Sequence, residues 1–284
     1  MYNTEFSLVF FTILGQFSAG MIVCLLVLNL IRKSGTGNKT GMLTHKGVYV
    51  ATGVMIISMI ISFFHLSSPL SAIYALSNLE QSWLSREILM VSLFTLLLVS
   101  MSAGLYLGKV KMKHLRILLT IASVIGILMV FTMARLYMIS TVPAWNNPST
   151  LISFFASTLV LGASFVLILF YRLSSKQPTQ DISLTFVAII ALVLIINLIN
   201  TIYIGPEYYE GNIAFEPEVS VRLHSYLSWF FWVAGLAFLI RQTYSPVKSQ
   251  KLFLNYHYIA FTCFFAAEII SRVLFYQSFY RIGI

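Results

Sequence analysis

The sequence predicts an all-α integral membrane protein with eight transmembrane helices and both termini on the outer face. Three observations carry that reading. Only 10% of the 284 residues are charged and 58% are hydrophobic, against about 25% charged residues in a soluble domain. The apolar residues gather into eight runs, each close to the roughly 20 residues an α-helix needs to cross a bilayer. The hydrophilic connections alternate in charge, basic on one side and acidic on the other.

The first run, 7–31, is too long for a cleaved signal peptide, and MYNTEFSLVF carries no positive leader. The second, 47–65, closes on SFFHLSSPL, where two serines and Pro69 mark a turn. The third, 87–108, follows SWLSR, and the fourth, 115–139, follows the short basic KVKMKHLR. The fifth, 151–171, emerges from PAWNNPST, and the sixth, 182–204, is almost unbroken aliphatic sequence. The seventh, 222–241, begins at Arg222 and His224, which can still sit at the interface, and the eighth is 252–275. One membrane domain over 1–284 accounts for nearly the whole chain.

Thirteen of the eighteen Lys and Arg fall in four connections, among them Arg32, Lys33, Lys109, Lys111, Arg241 and Lys248. Eight of the nine acids, all but Asp181, lie on the other side or at its helix ends. Lys and Arg are retained in cytoplasmic loops, so the basic connections are expected inside and both termini outside. The net charge of +9 is therefore a topology signal and does not mark a nucleic-acid surface. Cys24 and Cys263 lie within apolar runs, which argues against a disulfide framework or a Cys-rich metal site. No Walker loop, GxGxxG, HExxH or CxxC is present. The outer connections, rich in Pro, Asn, Gly and aromatics, are expected to be ordered and to offer a docking surface.

Ionisable residues within spans are expensive and mark function by default. Here they share one depth. His65 closes span two and Glu87 opens span three on the outer side. Arg135 lies about 6 Å below the outer end of span four, at roughly 1.5 Å per residue. Glu268 and Arg272 occupy the outer third of span eight, spaced i and i+4 so that they can pair. A histidine facing a carboxylate beside an apolar pocket suits quinol oxidation. That reaction removes two protons from two phenolic oxygens, and histidine exchanges protons near neutral pH. Each residue also has a plainer reading. His65 can be an interfacial hydrogen-bonding group, and Arg86 and Glu87 helix-start residues. Arg135 can snorkel to the headgroups, and Glu268 and Arg272 can be a structural ion pair. The five histidines lie at span edges, and only His65 with His224 could form an outer haem pair.

Four segments taken together, EFSLVFFTILGQFSAG, HLSSPLSAIYALSNLEQSWLSREIL, MARLYMISTVPAWNNP and EIISRVLFY, resemble the membrane anchor subunit of the bacterial dimethyl sulfoxide (DMSO) reductase family. The resemblance implies a multi-pass protein of the bacterial inner membrane with periplasmic termini. It also implies a molybdopterin catalytic subunit and an iron–sulfur electron-transfer subunit docked on the periplasmic face. The anchor itself would bind and oxidise menaquinol and carry no haem or other metal. In that family the functional residues are the histidine of the HL…PL motif and the glutamate of SREIL, which fall here on His65 and Glu87. Arg86, Arg135 and Tyr137 complete the candidate quinol contacts, with Glu268 and Arg272 as secondary candidates. The chain departs from the family at Ser67 and Ser271, where members often carry Gly, and at Ser71, often a basic residue. The Ser71 difference bears on partner docking or headgroup contact.

Two other functions fit a polytopic chain. A secondary transporter would place polar groups near the midplane on broken helices. Here the polar groups sit at one interface and all seven prolines lie outside the spans. A structural anchor without any ligand would use the same loops but need no acid–base pair.

Overall fold

Continuous apolar sequence with few helix breakers must satisfy its backbone hydrogen bonds internally in lipid, so each run folds as a helix. The structure, a computed structural model, describes residues 2–31, 37–64, 74, 76–173, 180–204, 208–210, 213–215, 219–244 and 250–279. Among these, eight helices are long and apolar enough to cross a membrane. They are α1 (Tyr2–Ile31), α2 (Gly37–Ser62), α3 (Trp83–Tyr106), α4 (Met112–Tyr137), α5 (Pro148–Leu173), α6 (Gln180–Tyr203), α7 (Val219–Tyr244) and α8 (Gln250–Gln277). All eight coincide with the predicted spans. Most boundaries shift by a few residues. Helix α2 starts ten residues before the expected position, because helical structure continues past the apolar stretch through NKTGMLTHK. The connection after α6 carries a short antiparallel strand pair, Tyr208–Glu210 with Ile213–Phe215, with Tyr208 opposite Phe215.

Helix α1 is the centre of the bundle. Its most apolar stretch is 78% buried, against 22% for α7 and 28% for α8, and it packs on α2, α4, α5 and α8. Helix α3 pairs with α4, and α7 with α8. The faces turned outward carry Leu96, Ile127, Leu192, Ile195 and Phe230, as lipid requires. Two ends follow from the alternation. One holds the starts of α1, α3, α5 and α7 and is called the Glu87 end. The other holds the four basic connections.

Lipid gives helices no hydrophobic reason to associate, so small residues and polar contacts must hold them. Helices α1 and α5 cross at Gly20 and Gly162. A Cβ on Gly20 would lie 1.8 Å from the Thr158 carbonyl oxygen, and one on Gly162 would lie 2.2 Å from the Gly20 carbonyl carbon. Hydroxyls stitch the rest. Ser18 donates to the Ala51 carbonyl (2.8 Å) and Ser58 to that of Phe11 (2.8 Å), tying α1 to α2. Thr52 meets Ser102 at 2.7 Å, tying α2 to α3.

Gly20→Ala or Gly162→Ala is expected to push α1 from α5 and to cost about 1–3 kcal/mol, the range for overpacking. The thermal midpoint of detergent-solubilised protein should fall. Gly53→Ala, whose added Cβ would meet nothing within 4 Å, should leave it unchanged. The charge pattern makes a separate prediction in a cysteine-free background. A cysteine at exposed Asn146 should react with impermeant maleimide outside intact cells, and one at exposed Lys111 only after permeabilisation. The reverse pattern would invert the assigned orientation.

Candidate functional site at the Glu87 end

The start of α3 is fixed by local hydrogen bonds. The Ser82 hydroxyl accepts from the Ser85 amide (3.3 Å), an N-cap that satisfies one free donor of the first turn. Arg86 then turns back on its own loop. Its Nε donates to the Leu79 carbonyl (2.8 Å) and Nη2 to that of Glu80 (2.5 Å). Its guanidinium also lies 4.3 Å from the centre of the Trp83 ring. With that turn held, the next residue, Glu87, is directed inward. It is only 4% exposed, and its Oε1 has no hydrogen-bond partner among the described residues. A buried polar atom without a partner is rare enough to need an explanation.

The neighbouring α4 supplies the other candidates. The Arg135 guanidinium is half-buried and lies 5.0 Å from the Trp83 ring centre, so one indole carries both Arg86 and Arg135. Arg135 Nη1 also points at the Met138 sulfur, 3.6 Å away. Tyr137 is buried, and its hydroxyl accepts from the Tyr276 hydroxyl (2.9 Å). Its ring is walled by Trp145, Phe154, Phe275 and Tyr276. Glu87 and the tyrosine pair lie at the same end of the bundle, Glu87 on α3 and Tyr137 on the α4 packed against it.

Glu268 and Arg272 do not pair directly as their spacing allows. They meet on Ser157 of α5. The Ser157 hydroxyl donates to Glu268 Oε2 (2.5 Å) and accepts from Arg272 Nη2 (3.2 Å). Arg272 Nη2 also donates to Gln16 Oε1 of α1 (2.9 Å), and the guanidinium lies 3.8 Å from the Phe154 ring centre. Glu268, Arg272 and Tyr276 recur every four residues, which places them on one stripe of α8. Gln16, Ser157 and Tyr276 were not singled out in the sequence. The i, i+4, i+8 spacing from Glu268 could have found Tyr276. Gln16, a lone amide well inside an apolar run, carried a signal of its own.

His65 lies outside the described residues, one position beyond Phe64, and so do Ser67, Pro69 and Ser71. His224 sits at the Glu87 end. His257 is buried at the opposite end, its ring 4.3 Å from that of Tyr171. Arg135 of α4 therefore meets Trp83 of α3, and Glu87 and Tyr137 are buried on the same two packed helices. Glu268 and Arg272 lie across the tyrosine pair from them.

The family model described as DMSO reductase anchor subunit (DmsC) matches residues 1–277. Two relatives are similar over more than half their length. One is the C chain of the anaerobic dimethyl sulfoxide reductase of Haemophilus influenzae, at 31% identity over 69% of this sequence and 72% of that one. The other is the YnfH chain of an anaerobic dimethyl sulfoxide reductase of Escherichia coli, at 29% identity over 56% of this sequence and 55% of that one. A match over almost the whole length, on a bundle of eight membrane-spanning helices, places this multi-pass membrane protein in the family of DMSO reductase anchor subunits.

Proposed function

We propose that this chain anchors a DMSO reductase-type complex in the bacterial inner membrane and draws electrons from menaquinol at a periplasmic-side site formed by Glu87 and His65. A molybdopterin catalytic subunit and an iron–sulfur subunit dock on the outer connections, and the electrons pass to the iron–sulfur subunit. Membership of an anchor family supports the existence of such partners, since an anchor needs a body to hold. The observation that carries the quinol site is Glu87. Its carboxyl is buried one turn into α3 with a free oxygen, four residues after the Trp83 whose ring carries Arg135. An unpartnered acceptor in an apolar wall fits the hydroxyl of a quinol head.

When bound, menaquinol supplies two electrons and two protons. Glu87 Oε1 accepts a hydrogen bond from one ring hydroxyl and then its proton. His65, three positions after the last residue of α2 in the sequence, serves the other oxygen. Imidazole suits this role because it gains and loses a proton near neutral pH. Arg135, held over Trp83, supplies positive potential where negative charge develops, which is the usual electrostatic contribution of a fixed cation. Arg86 acts at one remove, because its bonds to the Leu79 and Glu80 carbonyls set the turn that aims Glu87. Tyr137 backs the carboxylate with a hydroxyl already ordered by Tyr276. Protons and electrons both leave on the outer side, so the step itself builds little membrane potential.

The test uses membranes containing the whole complex. Glu87→Gln keeps size and polarity but cannot take a proton, and Glu87→Lys and His65→Arg reverse or fix the charge. Each is expected to slow menaquinol-driven reduction of dimethyl sulfoxide by about 10²-fold or more, the usual contribution of a positioned base. Reduction driven by a soluble viologen, which feeds the partner subunits directly, should stay at the wild-type rate. Wild-type quinol oxidation in both the Glu87 and His65 variants would overturn the site.

A further inference from the structure

Behind the tyrosine pair lies a cavity of about 120 Å³ between α5, α6, α7 and α8. Its walls are unusual for a membrane interior. Ser153, Ser157, Asn197, Asn200, Ser228 and Arg272 all contribute to them. Two buried side chains there each keep one polar atom without a partner among the described residues. Asn200 Oδ1 is unbonded although its Nδ2 donates to Ser149 (3.0 Å), and Arg272 Nε is unbonded although its Nη2 is used twice. Both residues are 3% exposed. Polar groups this deep are normally satisfied by ordered water.

Size narrows the occupant. Liquid water takes about 30 Å³ per molecule, so the cavity has room for about four. Exposure also grades along the lining, from buried Ser157 and Arg272, through half-buried Asn197 and Ser225, to exposed Thr201 near the end of α6. The inner wall is therefore Ser157 and Arg272, with Glu268 behind them on the Ser157 hydroxyl, and the mouth is at the Glu87 end. On the far side of that cluster, one turn along the α8 stripe, the Tyr276 hydroxyl donates to Tyr137 of α4, the helix packed against the α3 that carries Glu87.

We infer that this cavity is a hydrated proton outlet. Protons taken up at Glu87 pass along Tyr137 and Tyr276 to the Arg272–Ser157–Glu268 cluster and leave through the cavity water. This rests on the quinol reading of Glu87 given above. The transfer is balanced: Glu87 gains one proton from the substrate hydroxyl and loses one to the relay, its carboxylate is restored, and one proton appears in the outer water. No electron travels this way. Arg272 keeps its charge throughout. It orders Ser157 and Gln16, so the hopping groups are hydroxyls, the Glu268 carboxyl and water.

Two variants fill the cavity from opposite walls, Ser153→Leu on α5 and Asn197→Leu on α6, and Glu268→Gln interrupts the cluster. In the whole complex, each is expected to lower kcat for menaquinol-driven reduction about tenfold or more, on the scale of a lost proton relay. The KM for quinol should stay within about twofold and the D₂O effect on kcat should increase, while viologen-driven reduction is unchanged. Radiolytic hydroxyl labelling followed by mass spectrometry is the second readout. Trp232, which lines the cavity and is 3% exposed, should label in the wild type and lose labelling in the filled variants. A wild-type kcat and isotope effect in both filled variants would overturn the outlet, as would a raised quinol KM at constant kcat. An unlabelled wild-type Trp232, or density for a lipid headgroup in the cavity, would also overturn it. Loss of turnover in Glu87→Gln alone would then leave the quinol site standing without this route. Retention in Glu87→Gln would remove the site itself.

Discussion

The guanidinium of Arg272 organises the Glu87 end of the bundle. It is the most deeply committed charge there, bonded to Gln16 of α1 and Ser157 of α5 and laid on the Phe154 ring. A cation in lipid-facing surroundings must find partners on neighbouring helices or distort the bilayer. Here the partners come from α1 and α5, the pair already forced together by Gly20 and Gly162. The glycine crossing brings the backbones close, and the arginine holds the same helices further toward their ends. Tyr276, one turn along α8, extends the arrangement to Tyr137 of α4. An aromatic wall of Trp145, Phe154 and Phe275 closes it, with the Trp145 indole donating to the Phe275 carbonyl (2.7 Å). The third and fourth helices can then present Glu87 and Arg135 against a rigid back wall.

In α5–α8 the Arg272 cluster lies at one end. Between it and the Tyr171, Ser183 and His257 contacts at the basic end, the interior of α5–α8 is filled by Leu161, Phe186, Ile190 and Phe264, all fully or nearly fully buried. Among the described residues no chain of polar side chains crosses that zone. Within α5–α8, the polar side chains nearest Glu87 therefore open toward the same end. This agrees with the placement of the cavity and with a step that moves charge little across the membrane.

The eight spans were legible because hydropathy reports the bilayer, the strongest constraint on this chain. What hydropathy does not report is where a helix stops once it leaves the lipid, hence the early start of α2. The candidate site was half legible. Glu87, Arg135, Glu268 and Arg272 stood out because a charge in an apolar run has a visible cost. Gln16, Ser157 and Asn200 are neutral and common, and only the packing of α1, α5, α6 and α8 gives them meaning. Spacing suggested an ion pair between Glu268 and Arg272, but in three dimensions a serine hydroxyl stands between them. Arg86, adjacent to Glu87 in sequence, spends its donors on loop carbonyls, a use that depends on the turn geometry before α3.

The central claim is that the free carboxyl oxygen of Glu87 receives the substrate hydroxyl. The most direct measurement is a cryo-EM map of the lipid-embedded complex with bound menaquinone, at a resolution that places the ring oxygens. The account predicts one ring oxygen within hydrogen-bond distance of Glu87 Oε1, with the ring edge toward the α3–α4 pair. A quinone head bound at another part of the bundle, with Glu87 untouched and its oxygen still unpartnered, would contradict it.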